Sequence, residues 1–169
     1  MADATKIQLG PCSVRYKGTD LGHTIGGVVV TYTPTYKETS VDQHGSSVVE
    51  KFLTGERMMA ELSLAEFTLA NLQVAIGQSN LVGDDSVSMG SNAGKKASEK
   101  AGELVLHPLA LPSSDRNSDV TIFKAVVTNE LKIEHSNENE KVLPVQFDGL
   151  IDEGRADGAR LGYIGDSIS

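Results

Sequence analysis

The residues able to do chemistry are thinly spread in this chain. Gly90 to Lys96 reads GSNAGKK and has the flavour of a phosphate-cradling loop. A P-loop, however, needs four residues between its glycines and a Ser or Thr after the lysine to hold magnesium, within a strand-to-helix turn. Here the spacing is shorter and Lys96 stands where the hydroxyl belongs, so a flexible loop is the simpler reading. His23, His44, His107 and His135 occur singly, with no His or Cys partner at metal-ligand spacing. Asp148, Asp152, Asp157 and Asp166 sit among glycines in turn-like stretches and lack the alternating acids and closing glutamate of a calcium loop. No G-x-S-x-G elbow announces a nucleophile. Cys12 is the single cysteine, best read as a small buried hydrophobe, and it excludes an intrachain disulfide. The expectation is a non-enzyme with no catalytic residues, no metal site and no cofactor.

Totals narrow the class further. At 169 residues the chain is one domain's length, and with 22% charged and 39% hydrophobic residues it has ordinary globular composition. Seventeen glycines, no tryptophan and many Val, Ile and Thr favour short strands with tight turns over a helical bundle. The net charge of −8 argues against gripping nucleic acid, which takes Lys and Arg against phosphates. Acidity would still matter in a channel, where the fields of many copies add and keep a polyanion off the wall. Basic residues such as Arg15, Lys17, Arg57, Lys95, Lys96 and Lys100 form no aromatic-interleaved patch of the kind that stacks single strands. The N-terminus lacks a basic region followed by an apolar run, and no stretch approaches the roughly 18 apolar residues that span a bilayer. Synthesis in the cytosol, without export or membrane insertion, is the expectation.

The elements that must position any site are mostly strands. Thr5 to Leu9 and Ser13 to Tyr16 read as short strands or an extended arm split by Gly10-Pro11. Thr24 to Glu38, TIGGVVVTYTPTYKE, is a long β-branched strand in which Pro34 demands an edge position, a bulge or an exit from the sheet. Ser40 to Gly45 has turn chemistry and Ser46 to Leu53 resumes the alternation, giving a hairpin. Thr54-Gly55-Glu56 reads as a further break before Arg57 to Phe67, where period-two alternation favours a strand against the helix propensity of Met, Ala, Glu and Leu. Thr68 is an N-cap candidate for one helix ending at Gly77. Residues 78–103 form a polar insert of the kind that is mobile or functional. Leu104 to Leu111, Val120 to Thr128, Leu131 to His135 and Val142 to Ile151 supply the remaining strands, the last two as a hairpin turning at Ser136 to Glu140, and a Gly-rich tail covers about 153–169. One domain, 1–169, with an N-terminal arm of about 20 residues is expected.

Two blocks give this order a relative. GGVVVTYTPTYKETSVDQHG through RMMAELSLAEFTLANLQVAIG, and KVLPVQFDGLIDEGRADGARLGYIGD near the C-terminus, resemble the bacteriophage tail tube protein family. The resemblance implies a mainly β tail tube fold, sandwich-like or barrel-like, with one short flanking helix and strands contributed to an inner β-barrel shared between subunits. It implies hexameric rings stacked into a hollow virion tube, assembled in the bacterial cytoplasm, through which DNA passes without specific binding. The implied partners are further copies of the chain, a tape-measure protein, tail-tip and tail-terminator proteins, and a sheath where the tail contracts. On this basis Glu38, Asp42 and Glu50 are lumen candidates. Tyr32, Tyr36, Val41, His44, Lys95 and Lys96 are subunit-contact candidates. Two alternatives stand beside it: a tube protein of a related contractile injection or type VI secretion system, and a monomeric β-sandwich binding module, which the small aromatic content disfavours.

Overall fold

A computed structural model describes residues 10–90, 92–136 and 140–166. The strand expected at Thr5 to Leu9 and the turn at 137–139 lie outside the described residues. Among the described residues the chain is mainly β, with one eight-stranded antiparallel sheet, a small two-stranded sheet and one short α-helix. The strands in chain order are β1 (Cys12–Tyr16), β2 (Thr19–Asp20), β3 (Thr24–Ser40), β4 (Val48–Leu64), β5 (Asn80–Val82), β6 (Ser86–Ser88), β7 (Gly102–Pro108), β8 (Val120–Val127), β9 (Leu143–Leu150) and β10 (Gly162–Ile164). The helix α1 spans Leu69–Ala75.

The main sheet runs β2-β1-β7-β8-β9-β4-β3, with β10 added beside β8. It curls strongly. Tyr16 on β1 meets Phe147 on β9, with ring centroids 5.0 Å apart, although β7 and β8 lie between these strands in the sheet. The concave face holds the core of Val14, Leu62, Leu64, Leu104, Ile122, Leu143 and Phe147. The curl stops short of closure, since the outer strands β2 and β3 do not pair, and the expectation of a sandwich or barrel is corrected to a single open sheet. Among the described residues no helix is long and apolar enough to cross a membrane.

Local chemistry explains the helix. Thr68 is extended at the N-cap and its side chain accepts from the Asn71 amide, while Gly77, at φ 63°, turns the chain out. Asn71 is buried and donates to the carbonyls of Leu21 and Glu66, which ties the helix to the segment ahead of β3 and to the one that follows β4.

Three other expectations change. Thr54-Gly55-Glu56 does not end a strand: β4 continues through it for 17 residues, and one extra residue is absorbed as a β-bulge between the Thr35–Gly55 and Tyr36–Leu53 pairs. Leu131 to His135 forms no strand, so its hairpin with the last strand is absent as well. The reason is that the Asn129 side chain occupies the ladder positions there, accepting from the Gln146 amide and donating to the Pro144 carbonyl. Strand β9 instead pairs with β4 on one side and β8 on the other. The polar insert, finally, carries the β5–β6 hairpin and a 3-10 turn at Ala97–Lys100.

Candidate assembly interface

Strands β3 and β4 are each 17 residues long, far beyond the span of their neighbour β9. Strand β9 accompanies β4 only from Leu64 to Met59 and then diverges. From about Thr31 and Met58 outward the two strands therefore project as a two-stranded ribbon, closed at its tip by a 3-10 turn over Asp42–His44 and by Gly45 at φ 61°. Nothing in the described fold covers it. Among the described residues the outer edge of β3 is free throughout, one of the placements Pro34 allows, and the opposite edge of β4 is free from Met58 to Val48.

Antiparallel partners share a face, so the register sorts the ribbon's side chains. Val28 and Val30 on β3 face the core, and the same row continues outward through Tyr32, Pro34, Tyr36 and Glu38. Their partners on β4 include Leu53 opposite Tyr36 and Lys51 opposite Glu38. Tyr32 is 52%, Tyr36 53% and Leu53 49% exposed, so an apolar stripe runs past the end of the core it grew from. The other face carries Thr31, Thr33, Thr35, Lys37, Thr39 and Glu50, with Phe52 as the large apolar exception within the ribbon. A lone two-stranded hairpin is marginally stable in water, and a long exposed edge is a template for pairing.

The stripe leads at its base into a notch of about 410 Å³ lined by Tyr32, Met58, Ile151, Leu161, Tyr163 and Ile164. Here Tyr32 donates to Glu56 at 2.5 Å, and that bond pushes the phenol upward in pKa. Further out, Lys51 meets Glu38 at 2.7 Å, which raises the lysine. On the polar face, Arg57 donates twice to Oδ1 of the buried Asp148, at 3.0 and 2.8 Å, and Thr128 donates to its Oδ2 at 2.5 Å. This bond set pins β4 to β8 and β9 at the point where the ribbon departs.

The expected site residues fall into separate groups. Tyr32, Tyr36 and Glu38 share one face of β3; Glu50, opposite Thr39, is on the other face, so Glu38 and Glu50 do not line one wall. Val41, Asp42 and His44 form the tip. Lys95 and Lys96 are exposed in the insert that follows α1, away from the ribbon. Among the described residues the remaining chemistry-bearing types do not converge on a reactive arrangement. His107 Nδ1 lies 2.6 Å from Asp119, but its Nε2 is enclosed without a partner, and Ser13 Oγ donates to the His107 carbonyl at 3.4 Å rather than to the ring. No group of three or more potential metal ligands occurs among the described residues. Sequence reasoning missed the Arg57–Asp148–Thr128 set, whose members are up to 91 positions apart and carry no local signal.

A scan of protein-family models gives no match for this chain, and a search of curated proteins gives none either.

Proposed function

We propose that this chain is a structural subunit that assembles through the β3–β4 ribbon into stacked hexameric rings, forming the tube of a phage tail. The observation that carries the proposal is the ribbon itself: two bare edges, an apolar stripe on one face and a threonine-rich face on the other. Pairing the free β3 edge of one copy with the free β4 edge of the next satisfies both strands and, repeated around a ring, leaves no edge behind. The apolar stripe then lies against the outer layer of a neighbour. The polar face, with Thr31, Thr33, Thr35, Lys37, Thr39 and Glu50, lines the lumen, while Glu38 stays on the side turned outward. With Lys37 set against Glu50 and Arg57 held by Asp148, such a wall offers no cationic groove to DNA, and the net charge of −8 per copy keeps the cargo off it. The resemblance of the two sequence blocks to tail tube proteins supports the same reading. In it the chain is not an enzyme, and its partners are its own copies, a tape-measure protein and the proteins that initiate and terminate the tube.

Negative-stain electron microscopy and sedimentation across a concentration series test it. Hollow rings or tubes are expected as concentration rises; particles that stay monomeric at every concentration, with or without tail-tip components, overturn it.

A further inference from the structure

Between β9 and β10 the chain leaves the sheet at Ile151 and returns at Leu161, whose carbonyl accepts from the Phe123 amide. The loop so formed is closed by the Asp152 amide, which donates to the Arg160 carbonyl at 2.8 Å. It is fastened to β8 by Lys124, 3.1 Å from Asp152, and by the Arg155 guanidinium, 3.4 Å from the Phe123 ring centroid. At its far end Ala156 to Ala159 make a β-turn, with the Ala159 amide donating to the Ala156 carbonyl at 3.1 Å. Asp157 and Gly158 are the central residues, and Gly158 has the φ of 84° that a type II turn requires of its third residue.

Asp-Gly is the dipeptide in which a side-chain carboxyl and the next amide nitrogen react most readily, because glycine has no Cβ to obstruct the approach. The sequence holds two such steps, Asp148–Gly149 and Asp157–Gly158, and the fold treats them oppositely. Asp148 is buried, its carboxylate accepts from Arg57 and Thr128, and Gly149 lies in β9 opposite Ala125. The Asp157 side chain is 92% exposed, and its partner among the described residues is Arg160, at 3.0 Å. The Gly158 amide has no hydrogen-bond partner among the described residues, and no atom lies within 4 Å of where a Cβ would stand. The peptide plane joining the two central residues takes no part in the turn's own hydrogen bond, so it can rotate to bring the Gly158 nitrogen to the Asp157 carboxyl carbon without opening the loop.

We propose that Asp157–Gly158 is a site of spontaneous covalent modification in the folded chain, cyclising to a succinimide and reopening in part as isoaspartate, while Asp148–Gly149 is protected. The Gly158 nitrogen bonds to Asp157 Cγ, and the hydroxyl of the carboxylic acid leaves with the amide proton as water. Water then adds to one of the two ring carbonyls. Addition at Cγ restores aspartate; addition at the main-chain carbonyl leaves the backbone running through Cγ, one methylene longer, with the carboxylate now on the α-carbon. Only water is exchanged, and no oxidant, reductant or enzyme is needed. Asp157, Gly158 and Arg160 border the notch at the base of the ribbon, so the lengthened backbone and the displaced carboxylate would alter that surface. The chemistry needs only the turn and holds whether or not the chain assembles.

Ageing the full-length protein at neutral pH and body temperature tests the site. Isoaspartate is counted by methyl transfer from labelled S-adenosylmethionine with an isoaspartyl methyltransferase. Peptide mapping by mass spectrometry places it, the succinimide appearing as a peptide lighter by one water. Isoaspartate should accumulate at 157 at least roughly tenfold faster than at 148, where the paired strand has to open first. In urea, with the fold removed, the two steps should react at similar rates. Asp157→Glu, which keeps the charge but would need a six-membered ring, should abolish the signal from the folded protein, with circular dichroism confirming that the variant folds. No isoaspartate at 157 in the folded chain over a time in which the urea sample acquires it overturns the proposal. Equal reaction at 148 and 157 in the folded chain does so too, as does a signal undiminished in Asp157→Glu.

Discussion

Replacing Tyr36 by serine separates a side chain that serves the fold from one that serves a neighbour. Tyr36 lies on the apolar face of β3, opposite Leu53, beyond the reach of β9, and is 53% exposed. An aromatic side chain presents about 200 Å² in all, so about 100 Å² remains for a second copy to cover. At roughly 25 cal/mol per Å², less a discount for the phenol hydroxyl, covering it contributes about 2 kcal/mol to each contact. A tenfold change corresponds to about 1.4 kcal/mol, so Tyr36→Ser should raise the critical concentration by roughly 30-fold. Monomer stability should change by no more than about 0.5 kcal/mol, as at other exposed positions. The assay is sedimentation of assembled material across a dilution series, with chemical denaturation of the monomer in parallel. An unchanged critical concentration refutes the claim that a neighbour covers the stripe. So does a fall of about 2 kcal/mol in the monomer itself, which would mean that Tyr36 is buried within its own subunit.

Tyr16 Oη lies 2.9 Å from the Lys100 carbonyl and 3.1 Å from that of Ala125, and Tyr16→Phe leaves both without its proton; urea denaturation should show a loss of about 1–2 kcal/mol. Burial raises the Tyr16 phenol from 10.0 to about 12, so its stabilising contribution is intact below pH 10 and is lost as the pH climbs through about 12; an ultraviolet titration that finds all the tyrosines ionising together near 10 in the folded protein contradicts this. Asp148→Asn weakens the bonds from Arg57 and Thr128 at the root of the ribbon and should cost about 2 kcal/mol, a drop of roughly 4–8 °C in Tm by calorimetry. Gly77→Ala places a methyl group 2.8 Å from the Val127 carbonyl at a φ of +63°, and a melting temperature equal to that of the wild type would refute the strain assigned there.

The parts of this fold that local chemistry determines were legible. Thr68 and Gly77 bracket α1 because capping depends on neighbouring residues alone, and Pro34 confined its part of β3 to an edge, a bulge or an exit from the sheet because proline has no N–H to donate, the edge being what the fold adopts. The polar break at Thr54-Gly55-Glu56 misled, since a strand already held by a long partner absorbs an extra residue as a bulge. Leu131 to His135 has strand composition, yet the Asn129 side chain takes up the backbone groups of β9 that a strand there would have used. The register of β9 between β4 and β8, the curl that brings Tyr16 onto Phe147, and the placement of Glu38 and Glu50 on opposite faces all depend on pairings between distant segments.

Residue-resolved amide hydrogen exchange over Thr31–Met58, compared between the monomer and sedimented assemblies, tests the central claim most directly. The outward-facing amides of β3, and those of β4 from Val48 to Met58 that lack β9, should exchange fast in the monomer and become strongly protected in the assembly. Equal protection of these amides in both states would contradict the account, because the ribbon would then not be the element through which copies join.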